Sequence, residues 1–195
     1  MPSPAVLSDA FTDLARALSK AGVDWYVFGA QAAIIWGRPR LTSDVDITIR
    51  LGSVELRALM DLMQSEGFQL RIATTPDFLQ RTRVVPLRHR STGLDVDLVL
   101  AGPGLEDGFL ERAVAVTIGT TTIPVISAED LIVTKILAGR SKDLEDVRGV
   151  LAERGDRISL DAVRQALQML ETALGHSDLL PVLDAEIARW RRRSG

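Results

Sequence analysis

Two aspartates separated by one residue, Asp44 and Asp46, stand where apolar and polar residues alternate. The alternation over residues 44–50 predicts a half-buried strand, on which residues i and i+2 point to the same face. Two carboxylates held side by side repel each other unless a divalent cation binds between them or one takes a proton. Oxygen ligands of this kind select a hard ion, Mg²⁺ or Mn²⁺. The alternative is that both aspartates face bulk water, because the Asp-x-Asp spacing alone is common.

Two further features favour a site of phosphate chemistry. Gly29 ends an apolar strand over residues 24–28 and opens a helix, so that backbone N–H groups there can approach a phosphate. A second alternating segment, residues 94–100, offers further carboxylates from Asp95 and Asp97. Three carboxylates, a backbone phosphate cradle and two hard ions make up the apparatus of in-line phosphoryl or nucleotidyl transfer.

The order of these motifs resembles that of the polymerase-β-type nucleotidyltransferase superfamily, whose pattern is Gly-Gly or Gly-Ser, then Asp-x-Asp, then a third Asp on a neighbouring strand. The matching segments are Gly29-Ala30, Ser43-Asp44-Val45-Asp46-Ile47 and Val96-Asp97-Leu98. The resemblance implies that Asp44 and Asp46 hold two Mg²⁺ or Mn²⁺ ions. It also implies that Asp97 holds one of them and helps to deprotonate an acceptor hydroxyl, with Asp95 as the competing third carboxylate.

The same resemblance implies an NTP substrate, with ATP as one candidate, whose triphosphate is cradled by Gly29, Ala30 and Ser43. Ala30 departs from the superfamily pattern, which usually has Ser or Gly there. A hydroxyl at that position would contribute about 1.5–3 kcal/mol as a hydrogen bond to a charged group. The departure is the best argument for a second hypothesis, a catalytically inactive nucleotide-binding module.

A downstream segment, residues 127–147, resembles the abortive-infection (AbiEii-like) toxin nucleotidyltransferases and their small relatives. The resemblance covers about residues 10–150 in all. It implies an RNA acceptor, with the 3′ end of tRNA as the candidate, and a cognate antitoxin as a partner. A small-molecule acceptor of the antibiotic type is the alternative within the same chemistry.

A lysine stands on the apolar face of the first helix in that segment. Ser127 and Asp130 have the spacing of a capping box, which predicts that a helix begins there. Lys135 then shares a stripe with Leu131 and Ile132, and a lone ammonium in such surroundings needs an anionic partner. Two interpretations of Lys135 stay open: it pairs with an internal carboxylate such as Asp146, or it reaches the triphosphate of the nucleotide or the metal-bound carboxylates. For Asp146 the resemblance implies a contact with Lys135 or with the nucleotide substrate.

The elements that position these residues change in character along the chain. We expect a nucleotidyltransferase fold of the α/β (α+β) class, with a mixed twisted sheet flanked by helices over residues 1–126. A C-terminal helical portion over 127–195 is expected to pack on that core, with a single domain as the alternative. The predicted strands are 24–28, 44–50, 69–72, 83–88, 94–100, 114–118 and 121–126. The predicted helices are 7–21, 30–36, 54–65, 127–138, 142–154, 159–174 and 179–192.

Composition limits the alternatives. The 195 residues carry a formal charge of −3 and no cysteine, which excludes disulfide scaffolds and thiolate metal sites. Two histidines make a His-rich metal site improbable, and His89 is expected in a surface loop. No segment has the length and apolarity of a membrane span or a secretory signal, so the expected location is cytoplasmic.

Overall fold

The computed structural model describes residues 3–102, 104–175 and 177–194. Contacts divide the chain into two compact units. The sheet unit comprises Met1–Gln31 and Leu41–Ile126, and the helical unit comprises Ala32–Arg40 and Ser127–Gly195. Residues 32–40 thus join the helical unit, a membership that a linear division at residue 126 does not anticipate.

Seven strands form one mixed sheet within the described residues, in the order β3-β4-β5-β2-β1-β7-β6. The strand bounds are β1 (Asp24–Phe28), β2 (Asp44–Arg50), β3 (Phe68–Leu70), β4 (Val84–His89), β5 (Asp95–Leu100), β6 (Val114–Ile118) and β7 (Thr121–Val125). β2 pairs parallel with β5 and β1 pairs parallel with β7, and the other neighbours are antiparallel. The predicted mixed sheet with flanking helices is confirmed.

Helices connect the strands and then follow the sheet. Their bounds are α1 (Pro4–Ala21), α2 (Gly29–Trp36), α3 (Leu56–Ser65), α4 (Pro76–Thr82), α5 (Leu105–Glu111), α6 (Ala128–Ala138), α7 (Ser141–Arg154), α8 (Leu160–Leu174) and α9 (Leu179–Ser194). α4 and α5 were not predicted from the sequence. The signal for α4 was present, because Thr75 caps the amide of Phe78 and Pro76 occupies the first turn.

Apolar and polar residues alternate along the central strands, and the apolar ones form the hydrophobic core. On β2, the side chains of Val45, Ile47 and Ile49 are fully buried, whereas Asp44 and Asp46 are half-buried. β5 repeats the pattern, with Val96 and Leu98 buried. The strands therefore present their carboxylates on the face opposite to these apolar side chains.

Close backbone packing and a cation–π contact join residues 32–40 to α7 within the helical unit. Gly37 lies so close to α7 that a Cβ on it would come within 2.8 Å of the Gly149 carbonyl carbon. Arg154 stacks its guanidinium 4.8 Å from the ring centre of Trp36 and donates to the Trp36 carbonyl. These contacts explain why residues 32–40 group with α7.

His89 corrects one expectation, because it is 1% exposed and ends β4 instead of lying in a surface loop. Its Nε2 lies 3.0 Å from Asp13 Oδ2 on α1, and its Nδ1 lies 2.8 Å from the Thr92 hydroxyl. The sequence did not show the contact with Asp13, which is 76 positions away. Among the described helices, we find none with the length and apolar character needed to cross a membrane.

Candidate active site

Three carboxylates converge on the sheet unit. Asp44, Asp46 and Asp97 each place one oxygen so that all three oxygens lie within 4.8 Å of one another. All three residues are half-buried. We call this group the acidic cluster.

Strand register brings the acidic cluster together. Asp46 of β2 is the direct partner of Asp97 on β5 and of Phe28 on β1. Because Asp44 is two residues from Asp46, its side chain projects from the same face of the sheet. The parallel pairing of β2 with β5 is the long-range fact that unites the two segments.

Gly29 forms the corner between β1 and α2 and lies directly beside this cluster. Its φ is +65°, a backbone conformation that favours glycine. A Cβ on Gly29 would come within 2.0 Å of Asp46 Oδ2 and 2.8 Å of Asp46 Cγ. Glycine is therefore favoured here on two grounds, for the turn and for the close approach of the Asp46 carboxylate.

The first turn of α2 and the chain before β2 surround Asp44. Thr42 donates its hydroxyl to Asp44 Oδ1 at 2.6 Å, and the buried Gln31 amide donates to the Asp44 carbonyl at 3.5 Å. Ser43 is exposed next to Asp44, and Ala30 is buried at the start of α2. Thr42 and Gln31 fix the strand end that carries Asp44, and sequence reasoning had assigned them no role.

Asp95 and Asp97, the two carboxylates of β5, differ in their arginine partners. Asp95 accepts from Arg88 at 2.7 Å and from Arg71 at 3.2 Å, and it lies outside the acidic cluster. The hydrogen bond from Arg88 is the main reason why the pKa of Asp95 lies below its usual range. Arg71 also donates to Asp97, so that one guanidinium bridges both carboxylates.

The donor set of the acidic cluster fits a hard divalent cation. It offers carboxylate oxygens without sulfur or imidazole, which is the set that Mg²⁺ and Mn²⁺ prefer. The guanidinium of Arg71 contacts one of the three carboxylates, that of Asp97. Partial exposure leaves room for water or for phosphate oxygens as further ligands. The residues present therefore suit a metal-assisted reaction at phosphate.

Lys135 and Asp146, which were predicted to contact the nucleotide, form a buried ion-pair group in the helical unit. The Lys135 ammonium lies 3.0 Å from Asp143 Oδ1 and 2.7 Å from Asp146 Oδ2. Arg140 also binds Asp143, and Arg40 binds Asp146 with two hydrogen bonds. Lys135 therefore has an internal carboxylate partner, one of the two possibilities that the sequence allowed. The contact of Lys135 and Asp146 with a nucleotide stays a prediction.

Opposing influences set the pKa of Asp143. Burial, the largest of them, raises the pKa, but hydrogen bonds from Arg140 and Lys135 outweigh burial and lower the pKa below its usual value.

The helix start that the capping-box spacing predicts is also present. The Ser127 hydroxyl accepts from the Asp130 amide at 3.1 Å and donates to the Asp130 carboxylate at 2.8 Å. This cap fixes the beginning of α6 and therefore the position of Lys135 two turns later.

Sequence reasoning missed Arg71 as part of the site. It follows β3, and its amide donates to the carbonyl of Pro86 on β4, which continues the strand pairing. The residue was assigned to a strand, but no motif surrounds it, and its role depends on the β3-β4-β5 order. A single arginine in such a segment carries no local signal.

The architecture is similar to that of solved nucleotidyltransferase structures. An antigenic nucleotidyltransferase-like protein from Paracoccidioides brasiliensis aligns with a TM-score of 0.53 at 20% identity, covering 92% of each chain. The solution structure of the antibiotic-resistance factor ANT(2″)-Ia aligns with a TM-score of 0.57 at 13% identity, covering 90% of this chain and 97% of that one. Its crystal structure with adenylyl-2″-tobramycin gives 0.53 at 14% identity, covering 94% and 98%. At these identities the likeness establishes a shared fold.

Sequence comparison establishes the family. None of the curated proteins matches the chain. Residues 6–177 match the family described as nucleotidyltransferase of unknown function (DUF6036). Since the match covers most of the chain and agrees with the fold, this protein belongs to that family of nucleotidyltransferases.

Proposed function

We propose that this protein is a metal-dependent nucleotidyltransferase that transfers a nucleoside monophosphate from an NTP to an acceptor hydroxyl and releases pyrophosphate. The observation that carries the proposal is the convergence of Asp44, Asp46 and Asp97 beside the Gly29 corner. Carboxylates on two adjacent strands and backbone amides at a helix start are the parts that nucleotidyl transfer needs.

In the proposed reaction, Asp44, Asp46 and Asp97 would hold Mg²⁺ or Mn²⁺, and the bound ions would supply charge neutralisation of the phosphates and a more acidic acceptor hydroxyl. Asp97 accepts the proton of that hydroxyl. The acceptor oxygen forms a bond to the α-phosphorus while the bond from that phosphorus to the bridging oxygen of the β-phosphate breaks, and pyrophosphate leaves. The amides at Gly29 and Ala30, together with Ser43, bind the triphosphate and orient it for in-line attack.

RNA is the first candidate acceptor. Its support is the resemblance of residues 127–147 to AbiEii-like toxins, in which case the 3′ end of tRNA is the expected target and a cognate antitoxin the expected partner. A small-molecule acceptor of the antibiotic type is the second candidate. The formal charge of −3 favours it, because an acidic protein attracts a long RNA weakly.

The test is incubation of purified protein with Mg²⁺, each α-labelled NTP and total tRNA. The variant Asp44→Ala/Asp46→Ala removes two metal ligands, and Asp61→Ala/Asp77→Ala, which removes two exposed carboxylates elsewhere, is the matched control. We expect label in RNA and pyrophosphate release with wild type and control, and neither with the first variant.

Other outcomes separate the hypotheses. Pyrophosphate release without labelled RNA would support the transfer chemistry and exclude tRNA as the acceptor, which favours a small molecule. Tight NTP binding without turnover for any NTP or acceptor would contradict the proposal. That result would favour a nucleotide-binding module, in which Ala30 replaces the hydroxyl that the superfamily pattern usually supplies.

A further inference from the structure

The helical unit contains a cavity that no residue of the acidic cluster lines. It has a volume of about 400 Å³ and lies between residues 38–40 and helices α7 and α9. Pockets that bind small molecules commonly have volumes of about 300–1,000 Å³. The cationic side chains that line it are all arginines: Arg38, Arg40, Arg148, Arg189 and Arg193.

The cavity has a surplus of positive charge. Its five arginines are accompanied by three carboxylates, those of Glu145, Asp146 and Glu186. Two further residues form ion pairs with the lining, Lys135 with Asp146 and Glu153 with Arg38, and their opposite charges offset each other. An anion is therefore attracted to the cavity, and a polycation is repelled.

Two buried carboxylates hold the arginines in place. Glu186, which is 5% exposed, accepts from Arg148 at 2.7 and 2.8 Å, and Arg189 lies 3.6 Å away. Asp146 accepts from Arg40 at 2.6 and 3.1 Å. A guanidinium has five N–H donors, of which a bidentate pair with a carboxylate uses two. Arginines fixed in this way can bind a phosphate with little further loss of side-chain entropy.

An aromatic ring completes the cavity. Trp190 lines it and packs on the backbone of α7, where a Cβ on Gly155 would come within 2.3 Å of the indole. The ring is partly exposed although it is held against the backbone. Indole faces stack on nucleobases in nucleotide- and single-strand-binding proteins.

We propose that this cavity binds a nucleoside phosphate, with the phosphate on the arginines and the base on Trp190. The ligand is a free nucleotide or the phosphorylated end of an RNA strand, which share this chemistry. A simple carboxylate would bind the arginines but would not contact Trp190, and a polyamine would be repelled by the positive charge of the cavity. The site goes beyond the proposed function, since its binding needs neither a divalent cation nor the acidic cluster.

The test uses two double variants on α9 that remove the same charge. Arg189 and Arg193 are one turn apart and line the cavity, whereas Arg191 and Arg192, on the same helix, do not. Binding of AMP, of adenosine and of a 5′-phosphorylated RNA hexamer is measured by calorimetry in EDTA. The protein carries Asp44→Ala/Asp46→Ala, so that the acidic cluster cannot contribute.

We expect AMP and the hexamer to bind and adenosine to bind much more weakly. Arg189→Ala/Arg193→Ala should lower the AMP affinity by about tenfold or more, because hydrogen bonds to a charged group are lost. Arg191→Ala/Arg192→Ala should change it less than about twofold, since exposed charges away from the ligand are screened. Arg38→Ala, at an exposed residue on another segment, should weaken binding too, and it keeps the test valid if the α9 double variant fails to fold.

A hexamer that binds more tightly than AMP would identify a strand end as the ligand, and equal affinities would identify the free nucleotide. The inference is overturned if AMP and the hexamer fail to bind, if adenosine binds as well as AMP, or if the two double variants weaken binding equally. The pyrophosphate assay of the proposed function is read separately in protein with an intact acidic cluster. Failure of one test therefore leaves the other interpretable.

Discussion

The carboxylate of Asp46 occupies the space that a side chain on Gly29 would fill, because a Cβ there would lie only 2.0 Å from Asp46 Oδ2. The residue that turns the chain from β1 into α2 thus also sets the position of one carboxylate of the acidic cluster. This relationship couples the corner at Gly29, which we propose to bind phosphate, to the predicted metal ligands.

Replacement of Gly29 by alanine should therefore weaken metal binding in addition to destabilising the fold. We expect Gly29→Ala to lower Mn²⁺ affinity by about tenfold, because Asp46 must move, a loss typical of disturbed support for a metal ligand. Gly22→Ala is the control, since Gly22 has a similar φ of +68° but open space around its Cβ. Both variants should lose about 1–2 kcal/mol of unfolding free energy through the left-handed backbone. Equal Mn²⁺ affinities in the two would refute the coupling.

Arg71 should compete with the cation for Asp97. Its guanidinium contacts Asp97 as well as Asp95, whereas Arg88 contacts Asp95. We expect Arg71→Ala to tighten Mn²⁺ binding by roughly fivefold, corresponding to about 1 kcal/mol for a partly exposed ion pair. Arg88→Ala should have a smaller effect. Titration by electron paramagnetic resonance measures both, and weaker binding by Arg71→Ala would show that the arginine supports the site instead.

Lys135 should stabilise the helical unit. Lys135→Met leaves Asp143 and Asp146 buried with one cationic partner fewer, and removing one partner of a buried ion pair costs about 3–5 kcal/mol. We expect about 3 kcal/mol, because Arg140 and Arg40 still bind the two carboxylates. Urea unfolding measures the loss, with exposed Lys142→Met as the control. A loss no larger than that of the control would show that Lys135 does not stabilise the folded protein.

Acid should weaken the helical unit through Glu186. The hydrogen bond from Arg148 is the main cause of its lowered pKa in the folded protein. A lowered folded pKa means that the stabilisation is fully present above the unfolded pKa of about 4.3 and is lost as pH falls through the folded pKa. The difference in unfolding free energy between wild type and Glu186→Gln should therefore be largest near neutral pH and shrink below about pH 4.

Urea unfolding of both proteins between pH 7 and pH 3 measures this dependence. Glu145→Gln, at an exposed position, should differ little from wild type at every pH. A Glu186→Gln difference that grows as the pH falls would have the opposite sign and would refute the account.

Local sequence patterns predicted much of the fold. The alternation around Asp44 and Asp46 predicted β2, and the cap at Ser127 predicted the start of α6, because both signals arise from neighbouring residues. The proximity of Asp97 to Asp46 was inferred from the superfamily resemblance. It depends on the parallel pairing of β2 with β5, which no local pattern encodes.

The features that the sequence did not predict depend on long-range contacts or lie in short helices. The bridge from Arg71 to Asp95 and Asp97 spans more than twenty positions and needs the order of three strands. α4 and α5 have seven residues each, too few for a helical period to stand out. The sequence favoured Asp97 over Asp95 as the third carboxylate but could not decide between them, since both residues lie on one alternating strand.

The position of a bound cation decides whether Asp44, Asp46 and Asp97 form a metal site. A crystal grown with Mn²⁺ and a non-hydrolysable NTP analogue shows manganese by its anomalous scattering. We predict manganese bound by Asp44, Asp46 and Asp97, with the triphosphate beside Gly29 and with Asp95 still on Arg88. Manganese bound elsewhere, or nucleotide bound with no manganese at these three carboxylates, would contradict the account.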